Sequence, residues 1–154
     1  MAMPTTEDRR QIAQDILTTA VEGGITYWCN EPAEDGTLQV ERIERGPEHT
    51  VERIVFNVAA VEECSGASVR NGFTNGARTN STVVTLDASA MLRTLKAISA
   101  GKVTYGGKPL TATSTMRKLA PQLLFATHDD APDYDAGDAD NLLQAALFGD
   151  VIYG

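Results

Sequence analysis

Glu22-Gly23-Gly24-Ile25-Thr26-Tyr27-Trp28 is the stretch on which the fold turns, because it separates a helical pattern from a strand pattern. To its N-terminal side, Ile12, Ile16, Leu17, Ala20 and Val21 recur at helical spacing, with Arg9, Arg10, Gln14 and Asp15 off that stripe. Thr5 or Thr6 can cap this helix, and Glu7 and Asp8 in its first turn complement the exposed amides. Gly23 or Gly24 can adopt the left-handed conformation that closes a helix, so the pair needs no ligand to explain it. To the C-terminal side, Ile25 to Asn30 is rich in β-branched and aromatic residues and predicts a strand. Strand alternation sends one of Tyr27 and Trp28 inward: Trp28 is assigned to the core, and Tyr27 is left to face a ligand.

Two further strands follow from the same pattern. Asp35-Gly36 marks a turn, and Leu38, Val40 and Ile43 form a strand with charged residues on its other face. Gly46-Pro47 breaks it before a third strand over Val51 to Val58. A three-stranded antiparallel meander results, with Gln39, Glu41 and Glu52 on a polar face and its apolar face requiring a cover of helices. From Glu62 to Ser81, Ser65-Gly66, Asn71-Gly72 and Asn75-Gly76 predict an irregular loop or twisted hairpin, a candidate binding surface. Thr82 to Leu86 reads as a short strand, and Asp87 caps a helix carrying Met91, Leu92, Leu95 and Ile98 that ends near Gly101. Val103 to Pro109 is a turn, and a short helix over Ser114 to Leu124 contains Pro121, which interrupts or kinks it. Asp129 to Asp140 is an acidic linker, and Asp138 caps a last helix with Leu142, Leu143, Ala146 and Leu147. The closing run Val151-Ile152-Tyr153 is expected to dock on the core or on a second subunit. The fold class is α+β, with residues 1–154 forming one domain in which an N-terminal helix and a three-stranded sheet precede helices packed on one face.

Composition narrows the function classes. The chain of 154 residues has a formal net charge of -8, which argues against general nucleic-acid binding or an anionic membrane surface. Yet Ala88 to His128 carries Arg93, Lys96, Lys102, Lys108, Arg117 and Lys118 with no acid, a positive segment inside a negative protein. Cys29 and Cys64 are far apart and read as reduced thiols, in keeping with a cytoplasmic location. No run approaches the roughly 20 apolar residues of a membrane span, so no membrane partner is expected.

Catalytic patterns are sparse. Cys64-Ser65-Gly66-Ala67-Ser68 lacks the glycine spacing of a serine nucleophile elbow. Cys29, Cys64, His49 and His128 have the residue types of a zinc or Cys/His centre without the short paired spacings of structural zinc sites. The six aspartates between Asp129 and Asp140 could attract calcium or magnesium but fit no EF-hand frame. Gly101 to Pro109 misses a P-loop, because the lysine comes one position late and proline stands where Ser or Thr would hold magnesium. What survives is an anion-binding expectation. Lys102, Lys108, Arg117 and Lys118 supply charge, Thr111, Thr113 and Ser114 supply hydroxyls at a helix N-terminus, and Gly106 and Gly107 offer backbone amides.

The Glu22 to Trp28 motif behind a short helix, together with Ala146-Leu147-Phe148-Gly149-Asp150-Val151-Ile152-Tyr153-Gly154, resembles a family of small uncharacterised proteins of actinobacterial phages and mobile elements. The resemblance covers the two ends of the chain. It implies a phage-type accessory protein in the cytoplasm of a host cell, a group that often binds host factors or sequesters signalling nucleotides. The expected function is a non-enzymatic binding module, a homo-oligomer contacting a host protein or a small anionic ligand, with no cofactor and no catalytic or metal residue assigned. The alternatives are a small metal-dependent enzyme acting on a nucleotide or phosphoester and an acidic DNA mimic.

Overall fold

In the computed structural model, which describes residues 3–23, 39–70 and 82–153, Thr5 is the residue that caps the first helix, α1 (Thr6–Gly23). The Asp8 amide donates to the Thr5 hydroxyl at 3.0 Å, and the Thr5 amide donates to the Asp8 carboxylate at 2.8 Å, a reciprocal capping box. Ile12, Ile16, Leu17 and Ala20 are buried as their spacing predicts. Gly23 is still helical, and its value here is closeness: a Cβ at this position would sit 3.0 Å from that of Ala136. Gly24, the expected strand over Ile25 to Asn30 with Tyr27, Trp28 and Cys29, the Asp35-Gly36 turn and residues 71–81 lie outside the described residues.

The three-stranded antiparallel sheet is present, in the order β1 (Val40–Arg45), β2 (Val51–Asn57), β3 (Val83–Asp87). Its third strand is therefore the short segment after the turn-rich region, and β2 lies in the middle. Two register irregularities account for the spacing of apolar residues along β1 and β2. Val40 faces Phe56 while Arg42 faces Val55, and Glu44 faces Arg53 while Arg45 faces Val51, so Glu41 and Glu52 are the extra residues. Each bulge lets apolar residues three apart, Val40 with Ile43 and Val51 with Ile54, turn to the same core. The bulged strand also frees the Val51 amide from the ladder, and it donates instead to the Thr18 hydroxyl of α1 at 2.9 Å.

Val58 does not extend β2. It opens a helix, α2 (Val58–Ser65), because the Asn57 side chain accepts from the Ala60 amide and stops the strand. The first part of the expected irregular loop is thus helical, and it ends on Gly66 in the left-handed conformation. The remaining elements are α3 (Ala88–Ser99), the hairpin strands β4 (Thr104–Tyr105) and β5 (Lys108–Pro109), α4 (Thr115–Phe125), α5 (Ala136–Phe148) and β6 (Asp150–Val151). Asp87 caps α3 as its sequence predicts, accepting from the Ala90 amide at 2.9 Å. α4 continues through Pro121 as one helix. The cap of α5 is Asp135, three residues before the expected Asp138, which instead completes a capping box by accepting from the Asp135 amide.

α1 and α3 cover the apolar face of the sheet, α5 lies across α1 and α3, and α4 packs on α3. α5 is buried from Ala139 to Phe148 save for Asn141, so it needs neighbours on all sides. The C-terminal run supplies one of them. Gln144, with no exposed surface, donates to the Tyr153 carbonyl at 2.9 Å and to Asp140 at 2.8 Å, and its oxygen accepts the amides of Ile152 and Tyr153. The tail is thereby docked on its own core, and β6 pairs in parallel with β4. Gln144→Ala is expected to lower unfolding free energy by about 3 kcal/mol in urea titrations, because it strips partners from several groups at once. Amide exchange at Ile152 and Tyr153 should quicken in the same variant.

Candidate binding site

The basic residues singled out in the sequence lie on α3, the β4–β5 hairpin, α4 and the turns between them. Gly101 ends α3 with φ 75, and a Cβ there would meet the Arg117 guanidinium at 2.8 Å. Arg117 therefore lies over the C-terminus of α3, where the carbonyl end of the helix favours a cation, and beside Lys102. Lys108 is exposed on β5, Thr111 and Thr113 share a hydroxyl contact at 3.1 Å, and Lys118 is exposed in the first turn of α4. Ser114 is the N-cap residue of α4 by backbone conformation, but no side chain caps the helix and no acid occupies its first turn. Tyr27 lies outside the described residues.

The glycine amides of the hairpin have a different fate from the one their sequence implies. Gly106 and Gly107 have φ 59 and 82, the two left-handed residues of a tight hairpin turn. Asp150 of β6 reaches into this turn, accepting from the Gly107 amide at 3.1 Å and from the Thr104 hydroxyl at 2.8 Å. The Gly106 amide donates to the Val151 carbonyl at 2.9 Å. A carboxylate of the chain itself thus fills the place an external anion would take at these amides. Of the expected anion-binding features, the start of α4 is left without a capping side chain, with Thr111, Thr113 and Ser114 before it and Lys118 in its first turn.

Two other groups of residues become legible only in three dimensions. The acidic segment before α5 is a strap laid along α1, with Asp129, Asp130, Asp133 and Asp135 exposed to solvent. The His128 amide donates to Asp8 at 3.0 Å, His128 Nε2 lies 2.7 Å from Asp15, and Ala136 touches Gly23 at the far end of the helix. Tyr134 hydrogen-bonds Thr19, and burial pushes its phenol up to about 12. Asp130 accepts from Thr127, Asp135 and Asp138 cap α5, and Asp140 bonds Gln144. Among the described residues no three His, Cys, Asp or Glu side chains come together as a metal-ligating group.

Beside the strap, open clefts flank the N-terminal half of α1, lined by Arg10, Gln14, Glu52, Arg53, Ser89 and, further along, Asp15 and Glu48. None of these carried a motif in the sequence; Asp15 and His128 are 113 residues apart, and only the fold pairs them. The β1–β2 turn forming one wall is unusual, since Glu48 and His49 have φ 58 and 63. A Cβ at Gly46 would collide with the Glu52 carboxylate folded across it. Comparison with family models, curated proteins and solved structures finds no match for this chain.

Two predictions follow from this geometry. Replacing Glu48-His49 by Asn-Gly, the pair such a turn favours, should stabilise the protein by about 1 kcal/mol, read as a higher urea midpoint. The Asp8 carboxyl is held below its ordinary value chiefly by the Thr5 amide, then by the His128 amide and the Thr5 hydroxyl. A depressed carboxylate contributes stability above its unfolded value, about 3.9, and loses it as pH falls through the folded value. Asp8→Asn should lower Tm at neutral pH and flatten the acid limb of the Tm profile.

Proposed function

We propose that this protein is a non-enzymatic binding module that takes an anionic ligand at the start of α4. The observation that carries the reading is the bare first turn of that helix, without a capping side chain or an acid, in an otherwise acidic protein. Helix amides aligned in this way, with Lys118 and three hydroxyls beside them, suit a phosphate group. A phosphorylated small molecule such as a nucleotide is the ligand class this favours. The resemblance of the chain ends to phage-encoded proteins supports an accessory role inside a host cell, with a host protein as the other class of partner. Self-association belongs to the same proposal, but the docked tail removes the apolar surface that first motivated it. The enzyme and DNA-mimic alternatives gain no observation, as most of the aspartates of the strap hold caps or partners within the fold.

Calorimetry against inorganic phosphate and a panel of mono-, di- and cyclic nucleotides tests the reading. A binding heat that weakens with added salt is expected, and Lys118→Glu should reduce affinity about tenfold. Absence of heat across the panel overturns it.

A further inference from the structure

The cations of this protein fall into two groups. On α1 and the sheet, Arg10, Arg42, Arg45 and Arg53 each lie in an ion pair with a glutamate. From the last turn of α3 to the first turn of α4, the side chains of Lys96, Lys102, Lys108, Arg117 and Lys118 have no hydrogen bond or ion pair among the described residues. No acid occurs in that stretch of sequence. Gly101 is the common point: the Arg117 guanidinium lies against it, Lys102 follows it, and Lys96 stands in the turn of α3 before it. Three residues beyond Lys102, Tyr105 exposes its ring, and Lys108 is its cross-strand partner. The carbonyl end of α3 amounts to about half an elementary charge, so one of these cations satisfies it and the others are left over.

The complementary charge is on the same chain, out of reach. Asp129, Asp130 and Asp133 are exposed on the strap, and the carboxylates of Asp129 and Asp133 have no partner among the described residues. The strap begins beyond the C-terminus of α4, whereas Arg117 and Lys118 lie in its first turn. The 11 residues of that helix, about 16 Å long, keep the two apart. We propose that the basic face docks the acidic strap of a second copy of this chain, and that this is the contact behind the self-association proposed above, on which the inference rests. Two different patches meet, so the contact is head-to-tail and each copy keeps one unpaired patch for the next. A nucleic acid or an anionic membrane fits less well. Setting the six basic residues of Ala88 to His128 apart from the net charge of -8 leaves -14 on the rest of the chain, which repels an extended polyanion beyond the basic face. The strap is short, and its carboxylates are as separated as the cations they would meet.

Sedimentation velocity of the full-length protein, from micromolar to near-millimolar concentration, reads the contact. At low salt the average mass should rise with concentration above that of one chain. At about 0.5 M salt, where screening acts within a few ångströms, it should return to the monomer. Two double variants each reverse one side: Lys102→Glu with Lys108→Glu, and Asp129→Lys with Asp133→Lys, all at exposed positions. Each alone should associate at least about tenfold more weakly. An equimolar mixture of the two should associate again, because every contact between them is attractive, a recovery that damaged folds would not show. Wild-type protein that stays monomeric at low salt overturns the contact and self-association together. Association that survives high salt, variants that associate like the wild type, or a mixture that stays monomeric overturns the contact alone. Lys118 and the hydroxyls before α4 are unchanged throughout, so phosphate binding there is judged separately.

Discussion

The burial of α5 is the constraint from which the C-terminal half of the molecule follows. A helix buried on nearly every side must be enclosed, and α1 and α3 enclose only part of it. The tail encloses more, and its peptide groups would be stranded there without partners. Gln144 supplies them with an amide side chain that donates and accepts in the same place. Docking the tail fixes β6 against β4, which brings the Asp150 carboxylate to the Gly107 amide and Thr104 hydroxyl. The shape of the basic end is thus set from inside the core.

Elements with strong local signals were legible in the sequence. α1 announces itself through the Ile12, Ile16 and Leu17 spacing and its threonine cap, and α3 through Asp87 and its own apolar stripe. The sheet was legible as a three-stranded antiparallel unit, but the neighbour of β2 was less so, because pairing joins residues far apart and leaves no local trace. Val58 shows the limit of composition: it follows an apolar strand and looks like its continuation, yet one Asn57 side chain bonded to the Ala60 amide diverts the chain into α2. The same rule of caps misplaced the start of α5, where several aspartates compete and Asp135, with its backbone extended, is the one that caps.

The site residues divide along a similar line. Lysines and threonines near α4 were visible because they cluster in sequence, and the fold keeps Arg117 beside the turn that carries Lys102. The groove along α1 was invisible, since it joins short pieces of α1, the β1–β2 turn, β2, the start of α3 and the strap that lie far apart in sequence. Strain at Glu48 and His49 was equally hidden, because Pro47-Glu48-His49 carries no glycine to betray a left-handed turn. Physical chemistry read along the chain finds what neighbours do to one another; it misses what the fold assembles from a distance.

The parallel pairing of β4 with β6 also has a temporal side. Thr104 and Asp150 are separated by 46 residues, and the hairpin between β4 and β5 borrows hydrogen bonds from that distant strand. Contacts of large sequence separation close late, after the loop entropy they cost has been offset by other packing. During synthesis the Gly106-Gly107 turn therefore emerges well before the residue that pins it. The basic end is left to find its final shape among the last parts of the protein, when the chain beyond α5 has been made.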